Sequence, residues 1–117
     1  MSGRKYRLTE LADADITDIL AHTLREFGQV QFEAYWGLID KAADMVGDDP
    51  MRPGSRPRDE LGEGVRSFHV EIAARRRGAA SHILYYIPGD PGALILRVLW
   101  EGMEPKPRVA GGLDEIG

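Results

Sequence analysis

The sequence predicts an α+β domain of order β-α-α-β-β-β, a helical hairpin packed on a small antiparallel sheet. Three observations predict it. Two apolar stripes at helical spacing follow one another across Gly28. Three alternating or apolar runs fill the second half, separated by turn signals. A short alternating run precedes both helices. Hairpin and sheet each present one apolar side, and packing the two together gives a two-layer domain.

The elements follow in order. In residues 5–9, Tyr6 and Leu8 share one face of a short strand, and Thr9 offers an N-cap hydroxyl. Ile16, Ile19, Leu20, Leu24 and Phe27 then form the first helical stripe. Asp13, Asp15 and Asp18 lie toward its N-terminal end, where the helix dipole favours anions. Gly28 is a natural C-terminal stop. Tyr35, Leu38, Ile39, Ala42 and Val46 form the second stripe over residues 29–46, widened by Phe32 and Trp36. Gly47 and Asp48-Asp49-Pro50 end it. The short connection makes the helices antiparallel neighbours.

Residues 47–64 are rich in Gly, Pro, Asp and Arg and read as a long loop, with Leu61 as its apolar anchor. Phe68, Val70 and Ile72 alternate with Ser67, His69 and Glu71, as a strand does. Ala74-Arg75-Arg76-Arg77-Gly78 reads as a turn. Residues 81–87 are apolar on both faces, which marks a central strand. Pro88-Gly89-Asp90-Pro91-Gly92 is a turn, and the run from Ala93 to Trp100 is broken only by Arg97. The domain is expected to span residues 1–104. Residues 105–117, with their prolines and glycines, are expected to be a flexible tail.

Composition narrows the classes. Hydrophobic residues make up 43% and charged residues 29%, the balance of a globular domain rather than a disordered or membrane chain. No cysteine is present, which excludes disulfides and thiolate chemistry and points to a reducing cytoplasmic compartment. The net charge of −4 argues against a general nucleic-acid coat. Residues 1–50 hold 5 basic and 10 acidic side chains, and residues 51–117 hold 10 basic and 9 acidic, so one half is acidic and the other mildly basic. No apolar run reaches the ~20 residues of a membrane span.

The order of landmarks resembles the ParE toxins of the ParE/RelE toxin–antitoxin superfamily over about residues 5–108. The landmarks are Tyr6-Arg7-Leu8-Thr9, Ala12-Asp13-Ala14-Asp15-Ile16, Phe27-Gly28 and Tyr35-Trp36. Pro53-Gly54, Glu60-Leu61 and Gly64-Val65-Arg66-Ser67-Phe68 follow. His82-Ile83-Leu84-Tyr85-Tyr86, Ile95-Leu96-Arg97-Val98-Leu99-Trp100 and Met103-Glu104-Pro105 complete the series. The resemblance implies a cognate ParD-like antitoxin bound in a hetero-oligomer, no cofactor, and one of two targets. ParE-type toxins act on DNA gyrase and block replication. RelE-type toxins are ribosome-dependent endoribonucleases that cut messenger RNA.

The residues bear on that choice. Metal-free RNA cleavage needs a base, cations on the phosphate and an acid for the leaving oxygen. Arg66 matches an arginine that both branches carry. The region where RelE-like enzymes place a further Arg and then a Tyr reads Glu101-Gly102-Met103-Glu104-Pro105-Lys106-Pro107-Arg108, with no Tyr or His. Arg108 is a poor general acid, because a guanidinium stays protonated up to about pH 12. Trp100 stands where many ParE relatives have His. The ParE reading therefore assigns no catalytic residue, while the nuclease reading would use Arg66 and Arg108.

Arg66, Arg97, Trp100, Arg108 and Trp36 are the candidates for partner or target contacts. Arg97 lies in an apolar strand and must either pair with a carboxylate of the hairpin or point into a groove that receives a partner. Trp36 is either core or an exposed contact on the acidic helical layer. Arg75-Arg76-Arg77 is a solvated turn or a contact to phosphate or to an acidic partner. His22, His69 and His82 lack metal-ligand spacing, and His69 and His82 could face each other across a hairpin. The antitoxin is expected in the groove between sheet and hairpin.

Overall fold

In the computed structural model, residues 4–117 are described. Strand β1 (Tyr6–Leu8) leads into helices α1 (Glu10–Phe27) and α2 (Gln29–Asp48). Strands β2 (Arg56–Pro57) and β3 (Arg66–His69) follow, then a short helix α3 (Glu71–Ala74), β4 (His82–Pro88), β5 (Ala93–Trp100) and helix α4 (Pro105–Asp114). The predicted β-α-α-β-β-β order is present, with β2, α3 and α4 added to it.

The start of α1 is fixed by Thr9. Its hydroxyl accepts the Ala12 N–H at 3.0 Å and donates to the Leu96 carbonyl at 2.8 Å, so the cap also ties the helix to β5. Between the helices, Gly28 sits at φ 89°, and its N–H closes α1 on the Leu24 carbonyl. Nothing lies near its missing side chain, so the positive φ alone is what favours glycine.

The sheet has five strands in the order β1-β5-β4-β3-β2. β5, β4 and β3 form the expected antiparallel meander, and β2 adds a fourth antiparallel strand that was not expected. β1 instead runs parallel to β5, with Tyr6 opposite Ala93 and Leu8 opposite Ile95. The sheet is therefore mixed, because the helical hairpin intervenes between β1 and its partner and carries the chain back. Tyr85 pairs with Arg97 while Tyr86 pairs with Ile95, which leaves Leu96 as the extra residue of a bulge in β5.

The strand expected over residues 67–72 stops at His69. Val70 still bonds to the His82 carbonyl, but Val70 and Ala73 are buried at one-turn spacing and draw the chain into α3. The long loop contains β2 and a single 3-10 turn, Asp59–Leu61, whose Leu61 is buried as its apolar anchor.

The packing departs from two layers. On one face, Ile16, Ile39 and Val46 of the hairpin meet Phe68, Leu84, Tyr86, Ile95 and Val98. On the other, Leu61, Val65, Tyr85, Leu96, Leu99 and Val109 form a second core. Val109 belongs to α4, so residues expected to be a flexible tail instead form a helix that covers the second face. Pro105, Pro107, Gly111 and Gly112 give that helix poor intrinsic propensity, and its order comes from tertiary contacts. Val109 is fully buried, and the Glu115 carboxylate accepts the N–H groups of Glu10 and Leu11, capping α1 from outside. Gly112 is needed for close approach: a Cβ there would lie 2.7 Å from the Leu96 carbonyl oxygen.

The two adjacent glycines of α4 should therefore respond oppositely to alanine. Gly112→Ala pushes α4 off β5 and should cost about 1–3 kcal/mol in urea unfolding, the range for overpacking a tight contact. Gly111→Ala meets the tip of Leu11 at 3.2 Å and Arg97 Nη1 at an ordinary 3.9 Å, and should be neutral or stabilising by up to about 1 kcal/mol.

Candidate functional site

Of the candidate residues, Arg97 is used internally. Its Nε and Nη2 donate to Asp15 of α1 at 2.7 and 2.8 Å, and Nη1 donates to the Arg108 carbonyl of α4 at 3.1 Å. The two side chains are only 15% and 14% exposed. Asp15 Oδ2 also accepts the Val98 N–H at 3.0 Å. β1 pairs only with residues 93–95 of β5, so this carboxylate satisfies an edge amide beyond the reach of β1. Donating to the Asp15 carboxylate raises the Arg97 pKa further and holds the guanidinium protonated.

Arg66 and Arg108 are not brought together. Arg66 pairs with Tyr86 across the β3–β4 ladder, and its Nε donates to Ser55 Oγ at 2.7 Å. Tyr86 belongs to the core under the hairpin, and burial pushes its phenol up, keeping it neutral to donate to the Pro50 carbonyl. Arg66 thus pins the loop between α2 and β3. Arg108 lies on α4, over the opposite face of the sheet, where its Nη1 donates to the Glu104 carbonyl at 2.9 Å.

Trp36 is half-buried against the hairpin core, with the Arg4 guanidinium 5.8 Å from its ring. Arg4 in turn pairs with Asp40. Trp100 differs. It is 52% exposed at the end of β5 and lines a cavity of about 870 Å3 between hairpin and sheet. Helix α1 contributes Asp18, Ile19, His22, Thr23 and Phe27. Gln31 and Tyr35 come from α2, and Ser81 and His82 from the approach to and start of β4. Phe27 is 67% exposed on its rim. Exposed aromatic side chains around a concave, largely apolar surface are the usual anatomy of a binding site.

Most of these residues were not singled out from the sequence. Phe27 and Tyr35 read as ordinary members of helical stripes. As a side chain, His82 was weighed for metal-ligand spacing and as a cross-strand neighbour of His69, and the register does not set the two opposite each other. His69 lies opposite Ile83, and His82 lies opposite Trp100. Glu71 N–H donates to His69 Nδ1, so its Nε2–H donates to Glu101 at 2.6 Å. His82 Nδ1 shares a 2.7 Å hydrogen bond with the Tyr35 hydroxyl, whose oxygen also accepts the Ser81 N–H. Burial lowers the His82 pKa below its ordinary value, against an opposing pull from Glu101. Arg75, Arg76 and Arg77 are exposed in the turn after α3. Among the described residues, no group of three or more His, Asp and Glu could hold a metal, and no helix is long and apolar enough to cross a membrane.

A family described as the ParE toxin of the type II toxin–antitoxin system, parDE, matches residues 6–105. The chain belongs to the ParE toxin family. Comparison with curated proteins returns no match. The match runs from the start of β1 to the first residue of α4, so it takes in the hairpin, the whole sheet and every residue that lines the groove. Membership of this family makes the chain the toxin of a type II toxin–antitoxin system and implies an antitoxin partner.

Two expectations follow for this ParE-family chain. Asp15→Ala strands a largely buried guanidinium and the Val98 amide, and should lower unfolding free energy by about 2–3 kcal/mol. Urea unfolding at neutral pH checks it. The second concerns acid. Because folding depresses the His82 pKa, the unfolded chain binds more protons below the ordinary value of about 6.5. The penalty is absent above that pH, grows as pH falls through it, and is complete below the folded-state value. His82→Gln should therefore lose less stability than the parent between pH 7 and 5, measured as the shift in urea midpoint.

Proposed function

We propose that this toxin arrests growth by acting on DNA gyrase in the cytoplasm, and that a cognate ParD-like antitoxin neutralises it by seating a segment in the groove between hairpin and sheet. Family membership across residues 6–105 carries the reading. The placement of the two arginines supports it. A RelE-like nuclease would need its phosphate-binding cations at one point, whereas Arg66 is held under the hairpin side by Ser55 and Arg108 lies over the other face. Poisoning gyrase asks for no catalytic side chain, only for a surface that favours the cleaved complex.

The groove has the character that a neutralising partner needs. Phe27 and Trp100 are exposed on it, and Leu24 and Val30, exposed near the hairpin turn, extend the apolar surface of that end. Covering such side chains releases roughly 25 cal/mol per Å2 of apolar surface. Partner binding rather than catalysis is the natural use of this surface.

Purified toxin incubated with gyrase, supercoiled plasmid and ATP should yield linear DNA after detergent and protease treatment. Adding antitoxin should suppress it. Unchanged cleavage and supercoiling with folded toxin would overturn the gyrase assignment and direct the search to ribosome-dependent RNA cleavage.

A further inference from the structure

Among the described residues that line the groove, Asp18 is the only Asp, Glu, Lys or Arg, and it stands exposed on α1. Around it are the rings of Phe27, Tyr35 and Trp100 and the imidazoles of His22 and His82. A purely apolar segment laid over this surface would cover the Asp18 carboxylate without a partner, which is costly. Aromatic faces beside a carboxylate attract cations, through the ring quadrupole and the ion pair together. A guanidinium is the group best suited to both, since it stacks on rings and forks onto carboxylates. The volume of about 870 Å3 holds several side chains at once, so a cation can enter with apolar neighbours.

From this we infer that the antitoxin segment in the groove is both basic and apolar, with an arginine or lysine side chain lying among Phe27, Tyr35 and Trp100 and reaching Asp18. The inference rests on the reading that the antitoxin occupies this groove, and the acidic first half of the chain favours the same sign of partner: residues 1–50 carry 5 basic and 10 acidic side chains. An exposed carboxylate opposite a partner cation contributes to orientation and association rate, while the aromatic anchors contribute most of the affinity.

Titration calorimetry of full-length toxin with purified cognate antitoxin, at low and high salt, tests it. Asp18→Lys should weaken binding by about tenfold or more at low salt, and the loss should shrink as salt rises. Asp18→Asn should weaken it less. Trp100→Ala should weaken binding by about tenfold or more at either salt. If Trp100→Ala weakens binding while both Asp18 variants bind normally, the antitoxin uses the groove and the cation is refuted. If none of the variants affects binding, the antitoxin docks elsewhere and both readings fall. If Trp100→Ala instead changes only the oligomeric state of the toxin alone, seen by sedimentation, the groove is a contact between two copies and the inference is overturned.

Discussion

The fold turns on the pairing of Arg97 with Asp15. β5 is a central strand only along its first residues, because β1 is three residues long and leaves the rest of that edge open. Asp15 closes the gap by accepting the Val98 amide, and Arg97 fixes Asp15 in place with two hydrogen bonds. The third contact of the guanidinium, to the Arg108 carbonyl, reaches α4. One side chain thus joins the helical hairpin, the sheet and the helix on the opposite face. A largely buried charge is expensive on its own, and here its cost is offset by three of its five donors, two spent on Asp15 of α1 and one on the Arg108 carbonyl of α4.

Much of this was legible in the sequence. The helical stripes, the Thr9 cap, the Gly28 stop and the strands of the second half follow from periodicity and turn chemistry, which are local. The Arg97 alternative that pairs it with the hairpin is the one realised. What was not legible depended on long-range packing. Nothing local tells β1 to run parallel to β5, or tells a helix with two prolines and two glycines to order itself over Val109. Those features exist because distant backbones meet.

The groove was expected, but the bulge at Leu96 explains why most of its lining residues were missed. Counted from the turn at residues 88–92 without it, Trp100 would lie opposite Ser81 and face away from the hairpin. The extra residue shifts the register by one, sets Trp100 opposite His82 and turns both toward α1 and α2. A bulge has no reliable signature in a single apolar run, so the candidate aromatic at the end of β5 was visible while its neighbours were not. A different register, that of β3 with β4, places His69 opposite Ile83 rather than His82 and leaves each ring its own partner.

The pairing of β1 with β5 has a consequence for synthesis. The first strand to leave the ribosome waits for the last strand before it has a neighbour, and the carboxylate of Asp15 waits for Arg97. Such a topology has high contact order, and the hairpin can form early while the sheet cannot close until residues near 100 have emerged. A nascent chain therefore exposes the apolar underside of its hairpin for most of its elongation. For a toxin this separates the birth of the polypeptide from the birth of its surface, because the groove between hairpin and sheet exists only once the last strand is in place.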